Sequence, residues 1–108
     1  MWVITKSGFV SAVQHEDDDT MLRVRTRTRE HMEAAFGGLD IIDFGPKPSD
    51  YRFHANVPRA VFEAWMTREI QELDYTSHVK ENVAGDDDAM YVAMISCWHS
   101  LHKLQPTS

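Results

Sequence analysis

Residues 51–57, YRFHANV, alternate strictly, with Tyr51, Phe53, Ala55 and Val57 at one set of positions and Arg52, His54 and Asn56 at the other. A two-residue period sends the two sets to opposite faces of a β-strand. A strand with one apolar face must lay that face on other elements, so a sheet covered on one side is the simplest fold this segment permits. The same period recurs in LRVRTR, residues 22–27, where Arg23, Arg25 and Arg27 alternate with Leu22, Val24 and Thr26.

Other segments supply the rest of the sheet and its cover. WVIT (2–5) and FVSAVQH (9–15) read as strands around a turn at Gly8, and EDDDT (16–20) is too charged and turn-prone to continue the second. Thr28 is placed to cap a short helix carrying Met32, Ala35 and Phe36, which Gly37 and Gly38 stop. LDIIDF (39–44) is a further short strand, broken by GPKPSD. Pro58 opens a long helix whose apolar stripe is Val61, Phe62, Trp65, Met66, Ile70 and Leu73. DYTSHVKENVAG reads as a loop with a short helical piece. Asp86, Asp87 and Asp88 offer caps for a last helix with the stripe Met90, Met94, Cys97, Trp98, Leu101 and Leu104, ended by Pro106. The order is βββαββαα, and the expected fold is α+β: an antiparallel sheet of about five strands with helices on one face. No linker divides residues 1–108, so a single domain is expected.

At 43% hydrophobic and 26% charged residues, the chain has the composition of an ordered globular protein. Cys97 is its one cysteine, so no intrachain disulfide can form, which fits a reducing compartment. The first residues lack a charged region followed by a long apolar run, and no stretch approaches about 18 apolar residues, so neither export nor membrane spanning is expected. A cytoplasmic location is therefore expected. The net charge of -6 weighs against indiscriminate nucleic-acid binding, although a local basic surface remains open.

GFVSAVQH, LRVRTRTREHMEAAF, YRFHANVPRAVF, ELDYTSHVKENV and YVAMISCWHSLHKLQ together resemble a family of small uncharacterised proteins of bacteria and of phages that infect actinobacteria. The resemblance runs from about Trp2 to Gln105 and implies one complete domain, encoded by a phage or its host. It brings no catalytic residue, ligand or cofactor. His78 stands where the family pattern has an aromatic residue before the lysine of DYTSHVK.

The functional candidates follow from the two alternating strands. With a shared core, Arg23, Arg25, Arg27, Arg52 and His54 fall on one exposed sheet face. Either neighbouring carboxylates pair with these arginines, or the face is open to an anionic partner, because a guanidinium suits planar recognition of carboxylate and phosphate. The expected function is non-enzymatic, a protein–protein contact through this face, with a host protein as the candidate partner. Nucleic-acid binding by the same face is the first alternative, although few exposed aromatics are expected beside the arginines. A small hydrolase or nuclease built on His54, His99 and His102 is the second. A metal site is not expected, since His99 and His102 at i,i+3 lack the further ligands and the glutamate of a metalloprotease helix. The acidic runs lack calcium-loop spacing, and no phosphate-binding or nucleophile motif appears. Cys97, on the apolar stripe, is expected to be buried and inert. Trp65, Met66, Met90, Met94 and Trp98 are expected in the core, with a homodimer face on the last helix, joined by Trp2, as the alternative.

Overall fold

The structure, a computed structural model, describes residues 1–46 and 50–106. Contacts group them into two compact units, Met1–Asp74 and a second that begins at Tyr75. In the first, β1 (Trp2–Thr5), β2 (Gly8–Gln14), β3 (Met21–Thr26), β4 (Ile42–Asp43) and β5 (Phe53–Pro58) form one antiparallel sheet of order β1-β2-β3-β5-β4. Helices α1 (Arg29–Phe36) and α2 (Arg59–Gln71) pack on it. The α+β fold with its helix-covered antiparallel sheet is thus as the periodicities indicate. The proline break expected at 45–50 falls in part on residues 47–49, which lie outside the described residues.

The two helices lie on one face. Val10 and Ala12 of β2, Val24 of β3, and Phe53, Ala55 and Val57 of β5 are buried against Met32, Ala35 and Phe36 of α1 and Phe62 and Trp65 of α2. Phe36, Phe62 and Trp65 form an aromatic triangle with centroid separations of 5.1–5.8 Å. Burying side chains of this size contributes roughly 1.5–3 kcal/mol each. The stripe of α2 is narrower than its sequence suggests. Val61, Ile70 and Leu73 are exposed, because the sheet beneath the helix meets only the Phe62 and Trp65 side and, in part, Met66.

Local chemistry fixes the joints. Thr28 accepts the His31 N–H and caps α1. Asp18 accepts from both the backbone and the hydroxyl of Thr20, closing the acidic β2–β3 turn. Lys6 and Ser7 make the two-residue β1–β2 turn, and Gly8, which follows them, has φ +121. His31 of α1 lies directly over Gly8, and its Nδ1 accepts the Phe9 N–H at 3.2 Å. One ring therefore ties the first hairpin to the first helix.

In the second unit, α3 (Val79–Ala84) and α4 (Asp88–His102) enclose a small cluster of Val83, Ala84 and Met94, edged by Tyr75, Met90 and Tyr91. Asp87 caps α4 through the Met90 N–H. His78 precedes α3 in the left-handed region, and the Asn82 side chain donates to the carbonyls of Ser77 and His78. The expectation of a wholly buried α4 stripe is corrected here. Cys97 is exposed, as are Trp98 at 49% and Leu101 at 63%. A six-residue α3 is about 9 Å long and α4 about 22 Å, so α3 covers the N-terminal half of α4 and stops.

Replacing Gly8 by alanine would drive a Cβ into the His31 ring at a positive φ that L-residues resist. Gly8→Ala is expected to lower stability by about 3 kcal/mol, read as a shifted midpoint in urea unfolding. Gly38→Ala, with open space around the added methyl, is the matched control.

Candidate functional site: the arginine face of the sheet

The face turned away from α1 and α2 is set by register. Trp2 pairs with Ser11, Ser11 with Arg25, Arg25 with His54, and His54 with Ile42, so these five side chains make one row across the sheet. Val13, Arg23 and Asn56 make a parallel row to one side, and Ile4 and Phe9 begin another. Arg23, Arg25 and His54 are therefore brought together as expected.

Arg25 occupies the centre. Its Nη2 donates to Ser11 Oγ at 2.8 Å, and its guanidinium lies 4.6 Å from the Tyr51 ring centroid. Arg27 approaches the same ring at 4.3 Å and the Phe9 ring at 5.7 Å. Phe9 stacks on Tyr51 at 6.5 Å and meets Trp2 edge-on at 5.8 Å. The face thus carries an arginine–aromatic array running Trp2, Phe9, Tyr51, with Arg25 and Arg27 against the last two rings. Trp2 is 74% exposed.

Two positions in this region depart from the sequence expectation. Tyr51 is buried, yet it packs with Arg25, Arg27 and Phe9 rather than in the helix-covered core. Arg52 leaves the arginine face: its guanidinium lies over Phe53 at 5.1 Å, and its Nε and Nη2 donate to the two oxygens of Asp43 at 2.8 and 3.1 Å. The cause is a bend at Arg52 ahead of β5, which begins at Phe53, so the strand alternation does not extend back to residues 51 and 52. Arg29 of α1 adds to the same group, with contacts at 4.0 Å to Asp43 and 3.7 Å to Glu33.

Carboxylates answer most of the positive charge. Arg23 pairs with Glu16 at 2.9 Å and Arg27 with Asp50 at 3.2 Å. Arg25 is the arginine of the face that has no carboxylate within ion-pair distance among the described residues. Its Nε is buried without a hydrogen-bond partner among those residues, and so is Nδ1 of His54, directly across the strand pair. Nε2 of His54 lies 3.2 Å from the Tyr51 carbonyl, to which it donates as an N–H, and Phe44 meets the ring edge-on at 4.6 Å. Burial lowers the His54 pKa, and the charges of Arg23 and Arg25 lower it further against the pull of the Tyr51 carbonyl. The neutral imidazole is thus favoured over the cation in this row.

His54 is engaged with a backbone carbonyl, while His99 and His102 pack on the Trp98 ring at 4.9 and 5.3 Å. No group of three His, Cys, Asp or Glu side chains among the described residues could hold a metal ion. A cleft of about 310 Å³ opens beside Ala12, Leu22 and Phe62, and its charged lining groups are Arg59 and Glu63. Arg59 is already held there by the Asp19 carbonyl and the Gln14 side chain. No described helix is long and apolar enough to cross a membrane.

Sequence reading missed Trp2, Phe9, Ser11 and Tyr51 as members of this face. The signal for the first three was present: a two-residue Lys6–Ser7 turn fixes Trp2 opposite Ser11, and alternation then groups Phe9, Ser11 and Val13. Tyr51 had no such signal, because its side is decided by the bend at Arg52.

Two titrations check the electrostatics. The hydrogen bonds from Arg52, the Gly45 N–H and the nearby Arg29 charge hold the Asp43 carboxyl at about 2, against an ordinary 3.8. The stability Asp43 contributes is therefore fully present above pH 3.8 and is lost as pH falls through about 2. Carbon-detected NMR of the Asp43 carboxyl should show that low midpoint, and Arg52→Gln should raise it. His54 should titrate below the ordinary 6.5, its contribution being present above that pH and lost as pH falls through the lowered value. Arg25→Gln should move its midpoint upward. Comparison with protein-family models, with curated proteins and with solved structures finds no match for this chain.

Proposed function

We propose that the protein is a non-enzymatic binding module whose arginine face docks an acidic region of another protein. The observation that carries this reading is Arg25. It sits mid-sheet, is held by Ser11 and Tyr51, and lacks a carboxylate among the described residues, with exposed Trp2 in the same row. Arginine, tryptophan and tyrosine are the residues that most often carry binding energy at protein interfaces. A guanidinium immobilised beforehand loses little side-chain freedom when a carboxylate arrives. Exposed Ile4, Val13 and Ile42 around the row give apolar area to the same contact. The resemblance to small bacterial and phage proteins adds a cytoplasmic host component as the partner to seek.

Nucleic-acid binding by the same face is the second reading. Trp2 and Phe9 beside Arg25 and Arg27 favour it, since rings stack on bases and guanidinium groups meet phosphates. It is less well supported, because Arg23 and Arg27 already hold carboxylates and the chain carries a net charge of -6.

The two readings separate in one set of measurements. Arg25→Glu, with the fold checked by circular dichroism, should abolish capture of a protein partner from lysate, while Arg68→Glu on α2 should leave it intact. Undiminished capture by Arg25→Glu removes this face from consideration. A nucleic-acid function requires binding to single-stranded oligonucleotides at low salt that falls steeply as salt rises, and no binding at 20 mM salt eliminates it.

A further inference from the structure

The two edges of the sheet are unequal. At one, β4 has two residues, and Asp43 within it is locked to Arg52. At the other, β1 offers four residues, Trp2–Thr5, with no charge and no proline. Natural sheets guard their edges with charges or prolines among other devices, and β1 carries neither within its span.

Which of its backbone groups point outward follows from the hairpin. Met1 and Ala12 exchange both backbone bonds, so along the β1–β2 ladder Met1, Val3 and Thr5 turn their N–H and C=O groups toward β2. Trp2 and Ile4 then turn theirs away from the sheet. No backbone bond among the described residues reaches either of them from outside the ladder.

We propose that β1 pairs antiparallel with β1 of a second copy of this chain, joining the two sheets edge to edge about a two-fold axis at Val3. A two-fold axis normal to the sheet keeps each side chain on its own face, and the outward-facing residues must form the hydrogen-bonded pairs. Both conditions are met when Trp2 lies opposite Ile4 of the copy and Ile4 opposite its Trp2, with Val3 opposite Val3. Four backbone bonds form. On the arginine face, where Trp2 is 74% and Ile4 is 38% exposed, each indole covers a β-branched side chain, a favourable cross-strand pair. The pattern is self-complementary, and Trp2–Thr5 itself carries no charge although the chain as a whole is acidic. An arbitrary extended peptide would satisfy the backbone but not both Trp–Ile contacts at once. The pairing sets the two arginine faces on the same side of a continuous sheet, and it holds or fails independently of what those faces bind.

The contact is small, so the dimer should be weak, with Kd on the order of 0.1 mM. Sedimentation velocity of the full chain from 10 μM to 1 mM should show a monomer–dimer equilibrium. Ile4→Pro deletes an outward N–H without touching a β1–β2 bond, removing two of the four intermolecular bonds, and should weaken association about tenfold or more. Trp2→Lys, which leaves the backbone intact and sets a charge against Ile4, should do the same if the proline variant misfolds. In hydrogen exchange, the Trp2 and Ile4 amides should become slower with rising concentration while the Val3 amide does not. A chain that stays monomeric at 1 mM overturns the proposal. So does a dimer undiminished by these substitutions, or one whose Trp2 and Ile4 amides exchange at a concentration-independent rate.

Discussion

The pairing of β3 with β2 on one side and β5 on the other is the constraint on which the rest of the first unit depends. It sets Ser11, Arg25 and His54 in line and, by the same alternation, sends Val24, Ala55 and Ala12 to the side that α1 and α2 cover. A slip of one residue would exchange the two sets, placing guanidinium groups under the helices at a cost far above the stability of a small domain. The buried aromatic triangle and the arginine row are therefore two sides of one register, and each helps to specify the other.

Much of this was legible in the chain. Strict alternation in residues 22–27 and 53–57 identified the strands and the side on which Arg23, Arg25 and His54 fall, because a period of two leaves no choice once one face is apolar. Thr28 as a cap and Asp87 before α4 were readable from the chemistry of orphan N–H groups. Arg52 and Tyr51 were not readable, since the chain bends at Arg52 before β5 begins, and alternation cannot report where a strand starts; Arg52 turns instead to Asp43. The exposed half of α4 was hidden for another reason. Periodicity reports that a helix has an apolar side, but not how long its neighbour is, and α3 is six residues against fifteen.

The arginines of this acidic chain form a graded arrangement. Arg23, Arg27 and Arg52 each meet a carboxylate, and these contacts are at or near the surface, where such pairs add little to stability and chiefly orient the side chains. Arg25 differs in kind, because it is held by a hydroxyl and an aromatic ring, which fix its position without cancelling its charge. Its Nε and the Nδ1 of the opposing His54, both without a partner among the described residues, are donor and acceptor, each carrying a burial cost of about 1–3 kcal/mol. The lowered His54 pKa disfavours a second cation beside Arg25.

The inequality of the sheet edges has a bearing on assembly. A sheet with two equivalent open edges has a valence of two and can propagate without limit, which is the geometry of fibres. With β4 short and bound up with Arg52, and β1 open, this sheet has a valence of one. If β1 pairs with its copy as proposed, growth through that edge ends after a single step, and an uncharged first strand then closes a dimer rather than opening a fibre.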